Sequence, residues 1–480
     1  MEYKTKGIYP EDALRYFEDL TRIPHGSGNE EALAQYLVHF AKAHGLWVQT
    51  DSKNNVYIKK PGSAGKEDLP AVLLQGHIDM VCAKTEDSSH NFEKDPLTLV
   101  VEDGFLHADR TTLGADDGTA AAFVLALLAR DDFPHPPLEC LFTVEEETGL
   151  GGAHAADLSC FSARRMINLD AGPEGVMVAG SAGGLRIDFD RMPSYEPASG
   201  KVMEVKVCGL LGGHSGTMID QERGNANKLL GRVLHSIPCE WNLVTIKGGS
   251  KDNAIPQEST AVIALAETQA EDAVCKMRKV EADLKKELEA SDPGVCVRIS
   301  NASAEQMMSR EDSQKMVELL FLLPCGVTAR NIALGGAVTA SLNVGTIHTD
   351  DEGIHLVCSL RSSVVSLIND TADRLRMLGS LLGFQVSDGA GYPGWSYAMS
   401  SAMRDLCSKV YHQQTGKEME VITLHAGLEC GLFKEKLPDL DIVAIGPNVI
   451  GAHTPEEKLD LASFARLYDF LKELLVQMAG

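Results

Sequence analysis

The sequence has no Cys-x-x-Cys pair, and its eleven cysteines are scattered along 480 residues. Such an odd, dispersed set argues against a disulfide framework or a zinc finger and indicates reduced thiols. No apolar run reaches the roughly 20 residues that a membrane-spanning helix needs, since the nearest, 120–129, has about half that length. Residues 1–6 lack the apolar core of a signal peptide. We therefore expect a cytoplasmic protein that has no membrane partner.

Basic residues are in the minority, with 44 Lys and Arg against 68 Asp and Glu and a formal net charge of −24. This balance argues against nucleic acid or an anionic membrane as a partner. The acidic surplus is compatible with metal binding, although most such charges form solvated surface. At 480 residues the chain is longer than one hydrophobic core usually supports, so we expect two or three domains. The apolar fraction of 44% is sufficient to form their cores.

Strand-like and helix-like segments alternate at both ends of the chain, which predicts an α/β fold with a mainly parallel sheet flanked by helices. The pattern changes after Gly183 and Gly184, where alternating strands, long helices and a hairpin-type turn at 349–353 follow one another. We expect a main domain formed by residues 1–183 and 390–480, interrupted by an inserted α+β domain at 184–389.

The main domain is organised around a buried strand predicted at 71–75, which leads into His77 and Asp79. Side chains alternate along a strand, so His77 and Asp79 leave its end on the same side. The carboxyl edge of an α/β sheet is where such folds place their sites. Other acidic or imidazole residues stand close behind apolar runs or at a helix start: Asp116, Glu146, Glu147, Asp170 and His453.

Two imidazoles and three carboxylates in this group have the chemistry of metal ligands: His77, Asp116, Glu147, Asp170 and His453. They can hold two metal ions if one carboxylate bridges the pair. Imidazole mixed with carboxylate, without cysteine, suits zinc first, with manganese or cobalt as alternatives. A hydroxide held between the ions would be a nucleophile at neutral pH, and one more carboxylate would pass its proton to the leaving group. Glu146 is the candidate for that proton transfer.

The motifs resemble the aminoacyl-histidine dipeptidase, or bacterial carnosinase, group of the zinc exopeptidase family, which also contains carboxypeptidase G, aminoacylase and tripeptidase T. The resemblance covers essentially the full chain and rests on motifs in a fixed order: Ile23-Pro24, Gly76-His77-Ile78-Asp79, Leu113-Gly114-Ala115-Asp116, Glu146-Glu147, Leu169-Asp170, 212–216, 225–228, 425–431 and Gly451-Ala452-His453. In combination and order these motifs are specific, whereas each one alone is common.

The resemblance implies that Asp116 bridges two divalent metal ions. His77 and Asp170 would complete one metal site, and Glu147 and His453 would complete the other. Members of the family also tend to carry a cis peptide after the bridging aspartate, so we expect a cis bond between Asp116 and Asp117.

Glu146 would be the general base, and Asp79 would orient a metal ligand from behind. The run Glu145-Glu146-Glu147 allows two registers. Gly149 supports the one just given, because the family sequence is Glu-Glu-x-Gly. A slip of one residue would make Glu145 the base and Glu146 the ligand.

Substrate-binding residues are expected in the inserted domain, which would act as a lid. By spacing alone His214 is a turn histidine, Asn253 a turn residue and Arg361 a surface charge. The resemblance implies instead that His214 stabilises the oxyanion and that Asn253 and Arg361 hold the peptide carbonyl and the free carboxylate, the latter by bidentate contacts. His425 and Glu429 are candidates for the amino end of the substrate.

The resulting hypothesis is a metallodipeptidase that cleaves dipeptides, preferentially Xaa-His compounds such as carnosine. One alternative keeps the metals but removes an N-acyl group from an amino acid. An alternative of another class is a metal-free binding or scaffolding protein. If the inserted domain consists of two related halves, these can form within one chain an interface like that of a dimer. Both a monomer and a homodimer are therefore compatible with the sequence.

Overall fold

The structure is a computed structural model, and it describes residues 3–480. Its α-helices are α1 (Glu11–Thr21), α2 (Glu31–Ala43), α3 (Ala115–Leu128), α4 (Gly151–Ala155), α5 (Ala226–His235), α6 (Ala270–Glu287), α7 (Arg310–Leu322), α8 (Val365–Leu381), α9 (Ala402–Thr415), α10 (Cys430–Lys436) and α11 (Leu461–Met478). Its first strands are β1 (Trp47–Thr50), β2 (Val56–Lys60), β3 (Val72–His77), β4 (Leu99–Glu102), β5 (Phe105–Ala108), β6 (Leu138–Thr143), β7 (Arg165–Asn168) and β8 (Val176–Ser181).

The remaining strands follow in chain order. They are β9 (Gly183–Arg191), β10 (Tyr195–Pro197), β11 (Lys201–Cys208), β12 (Gly213–His214), β13 (Trp241–Gly248), β14 (Ala254–Ile255), β15 (Ser259–Leu265), β16 (Cys296–Asn301), β17 (Gln306–Met308), β18 (Gly326–Asn331), β19 (Ala337–Asp350), β20 (Gly353–Ser362), β21 (Gln385–Tyr392), β22 (Glu420–Leu424), β23 (Asp441–Ala444), β24 (Val449–Ile450) and β25 (Lys458–Asp460).

The chain forms two compact units. Unit 1 contains the described residues up to Gly180, Tyr397–Thr423 and Glu429–Gly480, and unit 2 contains Ser181–Ser396 and Leu424–Leu428.

Unit 1 is built on an eight-stranded sheet in the order β1-β2-β6-β3-β7-β23-β8-β22. The four central strands β6, β3, β7 and β23 are parallel, which confirms the predicted α/β class. Antiparallel pairs border them, β1–β2–β6 on one side and β23–β8 on the other, so parallel pairing is confined to the centre. The reason is connection length, because β1 and β2 are joined by a short turn that only antiparallel strands can close, whereas β3 reaches β6 through α3.

The core of unit 1 surrounds α3, whose Ala, Leu and Val residues are buried on all sides. Phe123 of this helix stacks on Phe464 of α11, with ring centroids 4.3 Å apart. On the sheet side α3 approaches β3 at Gly76, where an added Cβ would lie 2.3 Å from Ala120 Cβ and 2.4 Å from Asp117 Oδ2. Glycine at this position therefore lets the start of α3 sit against the carboxyl end of β3.

Unit 2 contains a nine-stranded sheet in the order β16-β11-β15-β13-β19-β20-β9-β21, with β18 paired to β19. Residues from the apolar faces of α5, α6, α7 and α8 join inward-facing strand residues in one core. The predicted hairpin is present, because Asp350 at the end of β19 pairs with Gly353 at the start of β20. The lid role predicted for residues 184–389 stays a prediction.

Two further features concern the whole described chain. Within residues 3–480 no helix is both long and apolar enough to cross a bilayer. All eleven cysteines are free thiols.

Candidate metal centre and active site

Three adjacent parallel strands end beside each other in unit 1 and deliver side chains to one edge. His77 is the last residue of β3, Glu147 lies in the turn that follows β6, and Asp170 comes two residues after the end of β7. Because the carboxyl ends of parallel strands meet at one edge of a sheet, these residues become neighbours. His77 Nε2 lies 4.0 Å from Asp170 Oδ1. The parallel strands thus bring together these three residues, which the sequence pattern placed at strand ends.

Asp116 lies between the two imidazoles. Its Oδ1 is 3.2 Å from His77 Nε2, and its Oδ2 is 3.1 Å from His453 Nε2. Gly114, with φ of +69°, precedes α3 and turns the chain so that Asp116 stands at the helix start. The peptide bond between Asp116 and Asp117 is cis, as expected from the resemblance. One carboxylate therefore presents each of its oxygens to a different histidine.

Glu147 completes the second half of the cluster. Its Oε1 lies 2.9 Å from His453 Nε2, yet this buried oxygen has no hydrogen-bond partner among residues 3–480. A nitrogen and an oxygen that converge without hydrogen-bond geometry are arranged as two ligands of one ion would be. The ligand atoms fall into two groups, each within 4.8 Å: His77, Asp116 and Asp170, and Asp116, Glu147 and His453.

The donor set fits a divalent ion of the zinc class. Tetrahedral zinc with bonds of ~2.0–2.1 Å places its ligand atoms ~3.3 Å apart. The histidine-to-carboxylate separations of 3.2, 3.1 and 2.9 Å are close to this value. Imidazole nitrogen with carboxylate oxygen is a ligand combination that zinc accepts. A third possible group, His77, Glu146 and Glu147, also has its ligand atoms within 4.8 Å, and it shares members with the other two.

The electrostatics of the cluster indicate surplus negative charge. Burial alone would lower the pKa of His77, but hydrogen bonds with Asp116 and Asp79 raise it well above its usual range. The neighbouring carboxylates of Asp116 and Glu147 raise the pKa of His453 to about 10. Burial and the charge of Asp116 raise the pKa of Asp170 well above its usual range. A pocket that retains protons so strongly is one in which cations are stabilised, and metal ions would replace those protons.

Asp79 contacts residues of both halves of the site. Nδ1 of His77 lies 3.0 Å from the Asp79 carbonyl and 3.4 Å from its Oδ1, which leaves Nε2 facing Asp116. The backbone N–H groups of Glu146 and Glu147 donate to the two Asp79 oxygens at 3.0 and 3.2 Å, and Ser27 Oγ donates at 2.7 Å. Asp79 therefore orients the imidazole and holds the turn that carries both glutamates.

The three consecutive glutamates have different environments. Glu145 has φ of +52° and points to the surface, where Lys53 Nζ lies 2.7 Å from its Oε2. Glu147 faces His453 as described. Burial and the charges of Glu429 and Glu147 raise the pKa of Glu146 to about 8. This geometry agrees with the register anchored on Gly149.

Glu457 is a site residue that sequence analysis missed. This carboxylate is only 2% exposed, and its two oxygens accept four backbone N–H groups, those of Leu113, Gly114, Ala115 and Asp116, at 2.7, 3.1, 2.8 and 3.3 Å. It fixes the loop that ends at Asp116. Its only signal in the sequence is a place four residues after His453, beside the exposed Glu456.

Glu429 lies inside unit 1 and is fully buried. Gln75 and Thr143 donate hydrogen bonds to its Oε2, the latter at 2.7 Å, whereas its Oε1 has no hydrogen-bond partner among residues 3–480. Burial raises the pKa of Glu429 to about 7. The predicted contact with the amino end of a substrate stays a prediction.

The other predicted substrate-binding residues lie in unit 2. Nδ1 of His214 accepts the backbone N–H of Thr217 at 3.1 Å and that of Gly216 at 3.3 Å, so a neutral His214 carries its proton on Nε2. Burial and the charge of Arg361 lower the pKa of His214, which favours this neutral form. The exposed Asn253 belongs to the adjoining turn, and its carbonyl accepts the backbone N–H of Ser215 at 2.9 Å.

Arg361 and His425 are buried in unit 2. Arg361 Nη1 donates to the Tyr392 hydroxyl at 3.0 Å, while its buried Nε has no partner among residues 3–480. His425 Nε2 and Ser341 Oγ form a hydrogen bond of 2.8 Å. Burial and the charge of Arg361 lower the pKa of His425 to about 4. An arginine with an unused buried donor is suited to bind an anionic group.

The sequence profile of peptidase family M20/M25/M40 matches residues 73–477. The chain belongs to this family. It is therefore a peptidase, which confirms the resemblance inferred from the motifs. The cytosol non-specific dipeptidase of Escherichia coli (strain K12) is 35% identical over 478 residues, which covers 98% of this chain and 98% of that one.

Two solved structures are similar to the chain. The crystal structure of aminoacylhistidine dipeptidase from Vibrio alginolyticus has a TM-score of 0.92 and 34% identity, and the match covers 99% of this chain and 98% of that one. A tripeptidase from Staphylococcus aureus subsp. aureus Mu50 is more distant, with a TM-score of 0.56, 17% identity and coverage of 98% and 99%. That second match concerns the fold alone.

Proposed function

We propose that this peptidase is a dipeptidase that uses two divalent metal ions, zinc in first place, which share the carboxylate of Asp116. The observation that carries the proposal is the position of Asp116, with one oxygen 3.2 Å from His77 and the other 3.1 Å from His453. The donor types, the buried unpartnered oxygen of Glu147 and the surplus of carboxylates support it.

The proposed ligands are His77 and Asp170 for one ion and Glu147 and His453 for the other, with Asp116 common to both. When bound, such ions supply a Lewis acid that polarises the scissile carbonyl and makes water nucleophilic at neutral pH. Asp79 keeps His77 in the tautomer whose Nε2 is free to coordinate.

Glu146 is proposed to transfer the proton. Its burial beside other carboxylates, which raises its pKa to about 8 in the metal-free protein, makes its carboxylate a stronger base than a solvated glutamate. It would take a proton from the attacking water and give it to the nitrogen of the leaving amine. Its backbone N–H donates to Asp79 at 3.0 Å, so Asp79 holds the turn that carries Glu146 as well as the ring of His77.

Substrate-binding roles are proposed for five residues. His214, with its proton on Nε2, would donate to the developing oxyanion. Arg361 would bind the free carboxylate, and Asn253 the peptide carbonyl. His425 and Glu429 would lie near the amino end. These assignments rest on the family resemblance.

Specificity for Xaa-His dipeptides is the finer part of the proposal. One similar protein is named an aminoacylhistidine dipeptidase and another a non-specific dipeptidase, and both names support a dipeptide substrate. The name of the Escherichia coli protein also supports a cytoplasmic location for this chain.

A substrate panel tests the proposal. Purified enzyme would be assayed with carnosine, Ala-His, Ala-Ala, a tripeptide and N-acetyl amino acids, before and after chelation and after zinc is added back. We expect hydrolysis of the dipeptides, fastest for Ala-His or carnosine, loss of activity on chelation and recovery with zinc.

Three results would change or contradict the proposal. Activity on N-acetyl amino acids alone would identify a deacylase instead of a dipeptidase. Equal rates on Ala-His and Ala-Ala would leave the dipeptidase standing and remove the histidine preference. Full activity after exhaustive chelation would contradict the role of the metal ions.

A further inference from the structure

A second histidine and carboxylate cluster lies in unit 2, on the sheet. His348, Asp350 and His355 place one ligand atom each within 4.8 Å of the others. Asp350 Oδ2 is 3.3 Å from His348 Nε2, and Asp350 Oδ1 is 3.2 Å from His355 Nε2. The two rings are stacked, with centroids 5.0 Å apart. The side chains of His348 and Asp350 are about half exposed, at 49% and 46%, so an ion from solvent can reach them.

The strand register explains why these side chains share one face. His348 on β19 is the direct partner of His355 on β20, and His355 is the direct partner of Asp190 on β9. Directly paired residues point to the same face of a sheet, and so does Asp350, two positions after His348. Neighbours on the alternate positions, Ile347 and Leu356, are buried in the core. The row of polar residues therefore belongs to the outer face.

Asp190 determines which nitrogen of His355 is available. Nδ1 of His355 lies 2.6 Å from Asp190 Oδ1, and an ionised carboxylate can only accept, so Nδ1 carries the proton. The lone pair of a neutral His355 is then on Nε2, which faces Asp350. This is the carboxylate–histidine arrangement that accompanies most metal-binding histidines. A positive charge shared by Nε2 and Asp350 Oδ1 at 3.2 Å, either a second proton on the ring or a metal ion, stabilises this contact.

We propose that His348, Asp350 and His355 form a surface site for a divalent cation of the zinc class, with Asp190 orienting His355 from behind. One ligand atom of each residue lies within 4.8 Å of the other two, and each Asp350 oxygen lies 3.2 or 3.3 Å from one imidazole nitrogen, close to the ~3.3 Å between ligands of tetrahedral zinc. Three protein ligands leave a fourth position for water. The ion links the C-terminal end of β19 to β20 and so restrains the tip of the hairpin. The site is independent of the dipeptidase proposal, because it shares no residue with that centre.

One neighbouring charge works against cation binding. Lys247 on β13 is the direct partner of His348 on the side away from His355, and it is exposed. Its ammonium group repels an incoming ion through solvent. Replacing it by methionine keeps the length of the side chain and removes the charge.

Equilibrium dialysis against buffered free zinc tests the site. The wild type is expected to bind one zinc ion per chain more than His348→Ala or His355→Ala, whatever the occupancy of the other centre. Asp350→Asn is expected to lose the same ion. In the wild type Asp350 Oδ1 accepts the backbone N–H of Glu352 at 2.8 Å, and the amide oxygen of asparagine can keep this hydrogen bond. Asp190→Asn should bind this ion 10- to 100-fold more weakly, and Lys247→Met should bind it more tightly.

The matched control is His412→Ala, an exposed histidine whose Nδ1 lies 3.1 Å from a single carboxylate, that of Glu418. It should bind as much zinc as the wild type. Circular dichroism of each variant verifies folding. Equal zinc content in the wild type, His348→Ala and Asp350→Asn would overturn the proposal, as would an equal loss of zinc in His412→Ala. Dipeptide hydrolysis by His348→Ala should stay at the wild-type rate.

Discussion

Replacing Glu457 by glutamine tests how the loop before Asp116 is held. The carboxylate of Glu457 accepts four backbone N–H groups with two oxygens, Leu113 and Gly114 at Oε2 and Ala115 and Asp116 at Oε1. Glutamine has one oxygen, so two of the four N–H groups lose their acceptor and face an NH₂ group instead. Glu457 is 2% exposed, so water cannot replace the lost acceptor.

The expected magnitude follows from these contacts. A buried N–H without an acceptor costs about 1–3 kcal/mol, so two of them lower the free energy of unfolding by roughly 2–6 kcal/mol. The loop also positions Asp116, and a displacement of about 1 Å at a reacting centre can cost roughly 100-fold in rate. We therefore expect Glu457→Gln to reduce both stability and dipeptide hydrolysis.

Urea unfolding followed by circular dichroism gives the stability, and kcat and KM for Ala-His give the activity. Glu456→Gln is the matched control, since the neighbouring Glu456 is exposed and should change the free energy of unfolding by less than about 0.5 kcal/mol. A Glu457→Gln protein that unfolds like the wild type and keeps its kcat would refute this reasoning.

The remaining predictions concern carboxylates of the same unit. Glu146→Gln should lower kcat by about 10²- to 10⁴-fold with unchanged metal content. Glu145→Gln removes only the surface ion pair with Lys53 and should leave kcat near the wild-type value. A large loss of kcat in Glu145→Gln and not in Glu146→Gln would indicate the alternative register. Asp79→Asn should weaken metal binding by about 10- to 100-fold, measured by competition with a chelator. Glu429 binds its proton more tightly when folded, with a pKa of about 7 against 4.5, so the stability it contributes below pH 4.5 is lost as the pH rises through 7. The free energy of unfolding of Glu429→Gln, measured relative to that of the metal-free wild type, should therefore rise by about 3 kcal/mol over that pH range. A difference in unfolding free energy that stays constant between pH 4.5 and 8 would contradict this.

The strand-end residues of the site were predictable because their signal is local. An apolar run followed at once by histidine or a carboxylate identifies the end of a buried strand, and the ends of β3, β6 and β7 meet for topological reasons. His77 and Asp170 were predicted in this way. Asp116 was predicted from a helix start, because Asp116 and Asp117 stand between Gly114 and Gly118 at a junction of loop and helix.

Other features had no local signal. Glu457 acts on a loop about 340 positions earlier in the chain, and nothing in the residues around it distinguishes it from the exposed Glu456. The register of Glu145–Glu147 depends on backbone conformation, since φ of +52° turns Glu145 towards Lys53. The antiparallel borders of the sheet in unit 1 were also missed, because alternation of helices and strands describes only the strands that helices connect.

Zinc titration of the metal-free enzyme tests the central claim most directly. It is best done with His348→Ala, so that the proposed surface site binds no ion. We predict that Ala-His hydrolysis is absent without metal, rises with added zinc and levels off at two ions bound per chain, and that Asp116→Asn neither binds two ions nor recovers activity. Full hydrolysis with one ion or none, or an Asp116→Asn protein that behaves like its parent, would contradict a centre in which Asp116 serves both ions.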